Sequence, residues 1–218
     1  MSKVDLRLDW CSYEAAKFAV EHWHYSKTMP RFKMNKIGVW EDDVFIGALI
    51  FGLGAAGATN GASYGLRRSF DIAELCRVAL TEHKTPVSRI LAIAIKMIKH
   101  KNPDLRMLIS FADTREKHHG GIYQASGWFY VGDFDSSSDT YVVNGKEVHA
   151  KTLYMRYGKG GQSIPWLQKT IDPEAKRIQR PPKHRYLFPL DDAMRKQIEP
   201  LRKPYPKRES GEIDNAVQ

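Results

Sequence analysis

Four side chains in two stretches of the chain are of types that bind transition metals or exchange protons. His24 and Tyr25 stand where a predicted first helix gives way to a loop, and Asp113 and Tyr123 follow the most apolar segment, ten residues apart. One imidazole, one carboxylate and two phenols form a nitrogen and oxygen donor set. Such a set suits iron or another hard-to-borderline transition metal better than it suits a thiolate zinc site. These residue types therefore indicate a metal site made by His24, Tyr25, Asp113 and Tyr123.

Each of these residues also has a purely structural interpretation. A His–Tyr pair at the end of a helix commonly caps it, and an Asp just after a strand is equally suited to cap the next helix. A Tyr on a short helix commonly serves packing, and His118 and His119, between Asp113 and Tyr123, are typical of a surface loop. Spacing alone leaves both interpretations open.

A fifth candidate, Arg77, lies inside a predicted strand. A buried strand Arg needs an anionic partner. Glu74 is three residues away, and strict alternation along a strand places the two side chains on opposite faces. Arg77 is therefore predicted either to face a ligand as a catalytic residue or to face solvent.

The hydrophobic pattern predicts the elements that position these residues. The first helix is capped by Ser12 and has an apolar face of Ala15, Phe18, Ala19 and Trp23. Strands are predicted at 4–9, 37–40, 44–51, 72–80, 105–112, 128–134 and 151–157, and helices at 12–22, 86–101 and 122–126. An antiparallel meander followed by alternating helices and strands predicts an α/β (α+β) fold with a mixed central sheet flanked by helices.

The last quarter of the chain differs from the rest in charge. Residues 159–208 hold thirteen Lys or Arg against five Asp or Glu, and the segment from 165 onward is rich in proline. We therefore expect two regions: a catalytic domain over 1–160 and an extended basic C-terminal arm over 161–218. A phosphate backbone is the usual partner of such a cluster. Its candidate DNA contacts are Lys159, Arg180, Lys183 and Arg185.

Other features exclude several protein classes. Cys11 and Cys76 form no CxxC pair, so neither a disulfide framework nor a zinc knuckle is indicated, and a reducing cytoplasm fits. The N-terminal MSKVDLRLDW is not typical of a signal peptide, and no apolar run reaches the roughly 18–20 residues that span a bilayer. The glycine-rich run 52–65 lacks a following GK[ST], so we interpret it as a loop between strands.

Several segments resemble the acetyltransferase (GNAT) fold. The hairpin, the strand–helix unit at 72–100, the strand LISFAD and the segment IYQASGWFYVG carry this resemblance. In that fold a glycine-containing Arg/Gln-x-x-Gly-x-Gly/Ala loop binds the pyrophosphate of acyl-coenzyme A. The corresponding segment here, TEHKTPVSR, contains no glycine.

A set of longer stretches resembles the Mom family of phage DNA-modification proteins. These are HYSKTMPRFKMNKIGVW, IAELCRVAL, TPVSRILA, ISFADTREKHHGGIYQASGW and TLYMRYGKG. The resemblance implies a divergent GNAT fold, an association with iron, and carbamoylmethylation of the N6 amine of adenine in double-stranded DNA, which shields phage DNA from host restriction. It also implies a phage enzyme acting in the host bacterial cytoplasm. The family's essential residues match His24, Tyr25, Asp113 and Tyr123.

The donor of the transferred group stays open, with an acetyl-coenzyme-A-like and a glycine-derived compound as alternatives. The oligomeric state also stays open, with a homodimer as one alternative. Two rival functions are a conventional acyl-coenzyme-A-dependent N-acetyltransferase and a non-catalytic DNA-binding protein. A modified deoxyadenosine would distinguish the leading function from both.

Overall fold

A computed structural model describes residues 4–53, 61–67, 70–135 and 140–207. The chain forms two compact units. The described residues up to Phe134 and from His184 onward make the first unit, and residues 135–183 make the second. These divisions differ from the predicted boundary near residue 160. Half of the predicted glycine-rich loop, residues 54–60, lies outside the described residues, and Gly61–Tyr64 form a short 3₁₀ helix.

The first unit is built on a seven-stranded mixed sheet in the order β1-β2-β3-β4-β5-β10-β6. Its strands are β1 (Leu6–Trp10), β2 (Met34–Glu41), β3 (Val44–Gly52), β4 (Ile72–Leu80), β5 (Met107–Asp113), β6 (Phe129–Phe134) and β10 (Lys183–Pro189). β1 to β4 are antiparallel neighbours, and β4 and β5 pair in parallel. The mixed α/β sheet predicted from the sequence is confirmed.

Helices cover both faces of this sheet. They are α1 (Tyr13–Trp23), α2 (Val87–Lys101), α3 (Gly121–Ala125) and α6 (Asp192–Ile198). α2 buries Val87, Ile90, Leu91, Ala94, Ile95 and Ile98, the predicted apolar face. On the opposite face, α1 packs its small side chains against Ala48, Ile50 and Ala79.

The predicted apolar face of α1 is wrong by about one position. Ser12 does cap the helix, but the buried residues are Ala16, Ala19 and Val20, and Phe18 is 47% exposed. Small side chains let α1 approach the sheet closely. The face with the smallest apolar side chains is therefore buried, and the larger Phe18 is left exposed.

A β-bulge changes the direction of side chains within β4. Ile50 of β3 opposes Arg77, whereas Phe51 opposes Leu75, so Cys76 is an extra residue. A bulge of this kind shifts the alternation by one position. Glu74 and Arg77 consequently share a face of the sheet, and the prediction that they lie on opposite faces is wrong.

The second unit contains a three-stranded sheet in the order β8-β7-β9. Its elements are β7 (Thr140–Val143), β8 (Lys146–His149), α4 (Ala150–Tyr157), α5 (Ile164–Thr170) and β9 (Lys176–Ile178). The predicted strand over 151–157 is wrong, because this segment is helical. Ala150, Leu153 and Tyr157 fall at helical spacing and pack into the core of the unit, and His149 caps the helix.

The C-terminal segment is not an extended arm where the structure describes it. Residues 183–189 form β10, between β5 and β6 in the central sheet, and α6 follows. Tyr186 and Leu187 are fully buried in different core clusters, so this strand is covered on both faces. Pro181 and Pro182 precede the strand and Pro189 ends it, which is where a strand tolerates proline.

Among the described residues, no helix combines the length and apolarity needed to cross a membrane.

Candidate active site

A cavity of about 390 Å³ lies in the first unit, beyond the paired part of β4 and β5. These strands pair at Ile72–Glu74 and Met107–Ile109, whereas later residues of both line the cavity. The lining residues are Trp23, His24, Tyr25 and Lys27 after α1; Cys76, Val78 and Leu80 on β4; Phe111 and Ala112 on β5; and Glu116 to Tyr123. The end of α1 and the segment after β5 therefore meet at one cavity.

His24 is buried, 8% exposed, and its ring is held by the next turn of the chain. The backbone N–H of Ser26 donates to Nδ1 at 3.1 Å, and the Ser26 hydroxyl lies 2.8 Å from the same atom. Because an amide N–H can only donate, Nδ1 is an acceptor and the proton of the neutral ring lies on Nε2. Burial, followed by the charges of Arg77 and His118, lowers the pKa of His24 to about 3. His24 is thus a neutral hydrogen-bond donor.

Tyr25 lies at the cavity mouth, 43% exposed. Its ring packs on His24, with 4.3 Å between ring centroids, and meets the edge of His118 at 5.2 Å. Desolvation and the negative charge of Asp113 raise the pKa of the phenol to about 12. The hydroxyl of Tyr25 therefore keeps its proton at neutral pH.

Tyr123 connects the cavity to the core. Ser110 Oγ lies 2.8 Å from the Leu75 carbonyl and 2.7 Å from the Tyr123 hydroxyl. The Leu75 carbonyl can only accept, so the single hydroxyl proton of Ser110 is donated to it. The Tyr123 hydroxyl then donates its own proton to Ser110 Oγ. Burial raises the pKa of the phenol, and its ring packs against Trp128 and Tyr186. Tyr123 therefore has a structural role in this conformation as well as a place in the cavity wall.

Asp113 ends β5 and caps the short 3₁₀ helix Thr114–Glu116, accepting a hydrogen bond from the Arg115 backbone N–H at 3.2 Å. It is not among the residues that line the cavity, although its charge acts on Tyr25. The capping role predicted for Asp113 is confirmed, whereas its role in catalysis or metal binding stays a prediction.

Arg77 holds the loop that carries His24 and Tyr25. Its guanidinium donates to the Thr28 carbonyl through Nη2 at 3.2 Å and through Nε at 3.4 Å, and to the Cys76 carbonyl at 2.7 Å. These bonds join β4 to the chain after α1. The Arg77 guanidinium is therefore bound by backbone carbonyls. These contacts make Arg77 a positioning residue for the His24–Tyr25 turn.

The predicted ligand set does not fit an iron centre as it is arranged here. Among the described residues, no three His, Cys, Asp or Glu side chains are grouped so that they could hold a metal ion. His24 Nδ1 accepts from the Ser26 N–H, so ligation of a metal through Nε2 would require the ring proton to move to Nδ1, where that N–H opposes it. The Tyr123 hydroxyl is bonded to Ser110, and its raised pKa opposes the phenolate that would bind iron. We derive no step through a metal.

Glu41 was not a candidate from the sequence, yet it controls the start of α2. Its buried carboxylate accepts from the backbone N–H groups of Lys84 at 2.9 Å and Thr85 at 2.6 Å. These hydrogen bonds outweigh its burial and lower the pKa of Glu41. Pro86 occupies the N-cap position of α2 and makes no side-chain cap bond. Glu41 thus holds the segment that leads into α2 and places a negative charge next to the start of this helix.

Tyr186 of β10 packs against the segment at His119 and Gly120, which lines the cavity. Its hydroxyl donates to the His119 carbonyl at 2.6 Å. Gly120 has φ of +83°, and a Cβ at this position would lie 2.4 Å from the Tyr186 ring. Gly120 is therefore required by the close approach of the C-terminal strand, which the sequence did not reveal.

The four candidate DNA contacts lie in different environments. Lys159 is exposed just after α4. Arg180 pairs with Glu147 at 3.2 Å. Lys183 and Arg185 are half-buried on β10 rather than on an arm. Their role in DNA binding stays a prediction.

Comparison with known proteins identifies the family of the chain. The model of the Mom protein family matches residues 5–207. The chain belongs to the Mom protein family. It is 26% identical over 209 residues to the methylcarbamoylase Mom of Escherichia phage Mu, across 93% of this chain and 84% of the phage Mu protein. The family match covers both units of this Mom family member and extends well beyond the predicted boundary at 160.

Two solved structures are similar at low TM-scores. A GNAT family acetyltransferase from Elizabethkingia anophelis with acetyl-CoA bound has a TM-score of 0.41 and 10% identity, over 86% of this chain and 98% of that chain. The AHL synthase LasI has a TM-score of 0.36 and 13% identity, over 72% of this chain and 96% of that chain.

Proposed function

We propose that this Mom family member is a phage DNA-modifying transferase that converts adenine to N6-carbamoylmethyladenine in double-stranded DNA. In the host cell this modification would protect phage DNA from restriction. Membership of the Mom family and the name of the phage Mu relative, a methylcarbamoylase, support a group-transfer enzyme. The net charge of +9 favours a polyanionic substrate.

One observation carries the proposal: the cavity is lined by aromatic side chains together with hydrogen-bonding groups. Trp23, Tyr25 and Phe111 line it together with the neutral imidazole of His24. Its volume of about 390 Å³ is within the range of small-ligand pockets. Enzymes that modify a paired base rotate it out of the helix and stack it between such side chains. The cavity is therefore a suitable receptor for an extrahelical adenine.

The chemistry forms a bond between adenine N6 and the methylene carbon of the donor, while that carbon loses its leaving group with the bonding pair. N6 also loses a proton. Its lone pair is delocalised into the ring, so the base must be held and polarised for attack. The His24 Nε2–H and the protonated Tyr25 hydroxyl are donors suited to the ring nitrogens or to the leaving group. The carboxylate of Glu116, which lines the cavity, and that of Asp113, whose charge acts on Tyr25, are the candidate proton acceptors.

The arrangement at α2 opposes a conventional acyl-coenzyme A donor. Glu41 places a negative charge just before α2, where its carboxylate accepts from the backbone N–H groups of Lys84 and Thr85. A pyrophosphate bound at the start of this helix would lie near that carboxylate and be repelled by it. Among the alternatives for the donor, we therefore favour a compound without a nucleotide pyrophosphate, such as a glycine-derived one.

The test is mass analysis of nucleosides from plasmid DNA after expression of the chain. We expect a deoxyadenosine heavier by one carbamoylmethyl group. Asp113→Asn keeps a capping oxygen while removing the charge, and Tyr25→Phe removes one hydroxyl. Both should abolish the product in folded protein, whereas Tyr13→Phe, an exposed tyrosine at the other end of α1, should not. An unmodified nucleoside pool with wild-type protein would refute the function and favour a non-catalytic DNA-binding protein.

A further inference from the structure

The second unit carries a long segment without acidic residues. Residues 148–171 contain Lys151, Arg156, Lys159 and Lys169 and no Asp or Glu. All four side chains are exposed, and none of them has an ion-pair partner among the described residues. By contrast, Arg180 in the same unit is paired with Glu147. The positive charge of this segment is therefore directed to solvent.

Two large apolar side chains are exposed among these cations. On α4, Tyr154 is 48% exposed and Met155 is 77% exposed, the largest fraction among the exposed large hydrophobic residues that the structure describes. α4 needs only Ala150 and Leu153, with Tyr157, to pack on its own unit. Exposed apolar groups next to cations are not required by this packing, and such surfaces commonly bind a partner.

We propose that the outer surface of α4, together with Lys159, is the surface that grips duplex DNA. Lys151, Arg156 and Lys159 would neutralise phosphates, and Tyr154 and Met155 would press on base edges or base steps. Charge complementarity favours this partner, because a segment without carboxylates attracts a polyanion over its whole length. DNA-bending and base-flipping proteins insert apolar wedges, Met among them, between base steps. The proposal rests on the proposed function in taking duplex DNA as the substrate.

The experiment measures binding of the full chain to a fluorescein-labelled DNA duplex of mixed sequence over a range of salt concentrations. In the triple variant Lys151→Gln, Arg156→Gln and Lys159→Gln, the slope of log K against log salt should fall by about 2.7, since each lost phosphate contact removes about 0.9. The control replaces three exposed cations of α2, Arg89, Lys96 and Lys101, with Gln. Its slope should stay at the wild-type value.

A second variant tests the apolar contact separately. Met155→Glu places a carboxylate at the centre of the surface without touching the core of the unit, and it should weaken duplex binding at least as much as one lost cation. Met155→Leu should bind as wild type does.

Three outcomes would overturn the proposal: an unchanged slope in the α4 triple variant, an equal fall in the α2 control, or wild-type binding by Met155→Glu. The nucleoside assay separates this failure from failure of the proposed function. Modified adenine with an unchanged slope would refute the surface alone, and a reduced slope without modified adenine would refute the function alone.

Discussion

His24 gives a prediction whose magnitude follows from its environment. Burial and nearby positive charge lower its pKa from 6.5 to about 3 in the folded chain. The unfolded chain therefore binds a proton more readily, so the stability contributed by neutral His24 is fully present above pH 6.5 and declines as pH falls toward 3. At 1.36 kcal/mol per pKa unit, protonation of the unfolded state lowers the free energy of unfolding by about 2 kcal/mol between pH 7.5 and pH 5.

The assay is urea denaturation of wild type, His24→Gln and His22→Gln at the two pH values. Gln keeps an oxygen that can accept from the Ser26 N–H but takes up no proton in this range. We expect the loss of stability on acidification to be about 2 kcal/mol smaller in His24→Gln than in wild type. His22 is exposed in the last turn of α1, two residues before His24, and its variant should retain the wild-type pH dependence.

The reasoning would be refuted if wild type and His24→Gln lost the same stability between the two pH values. That result would mean that the imidazole is solvated in the folded chain, and the assignment of its proton to Nε2 would no longer follow. A variant that proves too unstable to titrate can be replaced by His24→Asn, which is also neutral.

Three further predictions concern the residues that support the cavity. Glu41→Gln places an amide nitrogen against a backbone N–H and should lower the free energy of unfolding by about 1–3 kcal/mol. The control Glu82→Gln, at an exposed position, should not lower it. Equal denaturation curves for wild type and Glu41→Gln would show that the Glu41 hydrogen bonds do not stabilise the start of α2. Tyr123→Phe removes the hydroxyl that donates to Ser110 and should lower the free energy of unfolding by about 0.5–1.5 kcal/mol, measured by denaturation. An unchanged free energy of unfolding would contradict that hydrogen bond. In Arg77→Lys the ammonium group cannot donate to two carbonyls in the same fork geometry. Backbone amides of the loop 24–29 should therefore exchange hydrogen faster, while those of α2 keep their rates. Wild-type protection of the loop in this variant would exclude the positioning role of Arg77.

Local patterns predicted much of the first unit because its elements satisfy local rules. The buried face of α2 follows directly from helical spacing of its aliphatic residues, and Ser12 caps α1 as its residue type predicts. The hairpin of β2 and β3 forms around Asp42 and Asp43, which both take positive φ. Such features depend on neighbouring residues alone, so one sequence is enough to predict them.

The errors occur where a distant partner decides the structure. The segment 151–157 alternates enough to resemble a strand, but Leu153 finds its apolar partners only when the segment is helical and packs in the second unit. The hairpin before it turns at Asn144 and Gly145, both at positive φ, and Asn-Gly is a residue pair typical of such turns. Residues 183–189 were interpreted as part of an arm because their neighbours are basic and proline-rich, whereas the gap between β5 and β6 makes them a strand.

The sequence by itself determined the mixed α/β class and the family, and it pointed to His24, Tyr25 and Tyr123, which line one cavity, because residue type and local spacing carry that information. Tertiary structure alone decided what those residues can do. Glu41 meets the start of α2 across more than forty residues, and Ser26 and Ser110 fix the protons of His24 and Tyr123. Protonation and hydrogen bonding depend on burial and on partners brought together by folding, and neither is encoded in the spacing of the residues themselves.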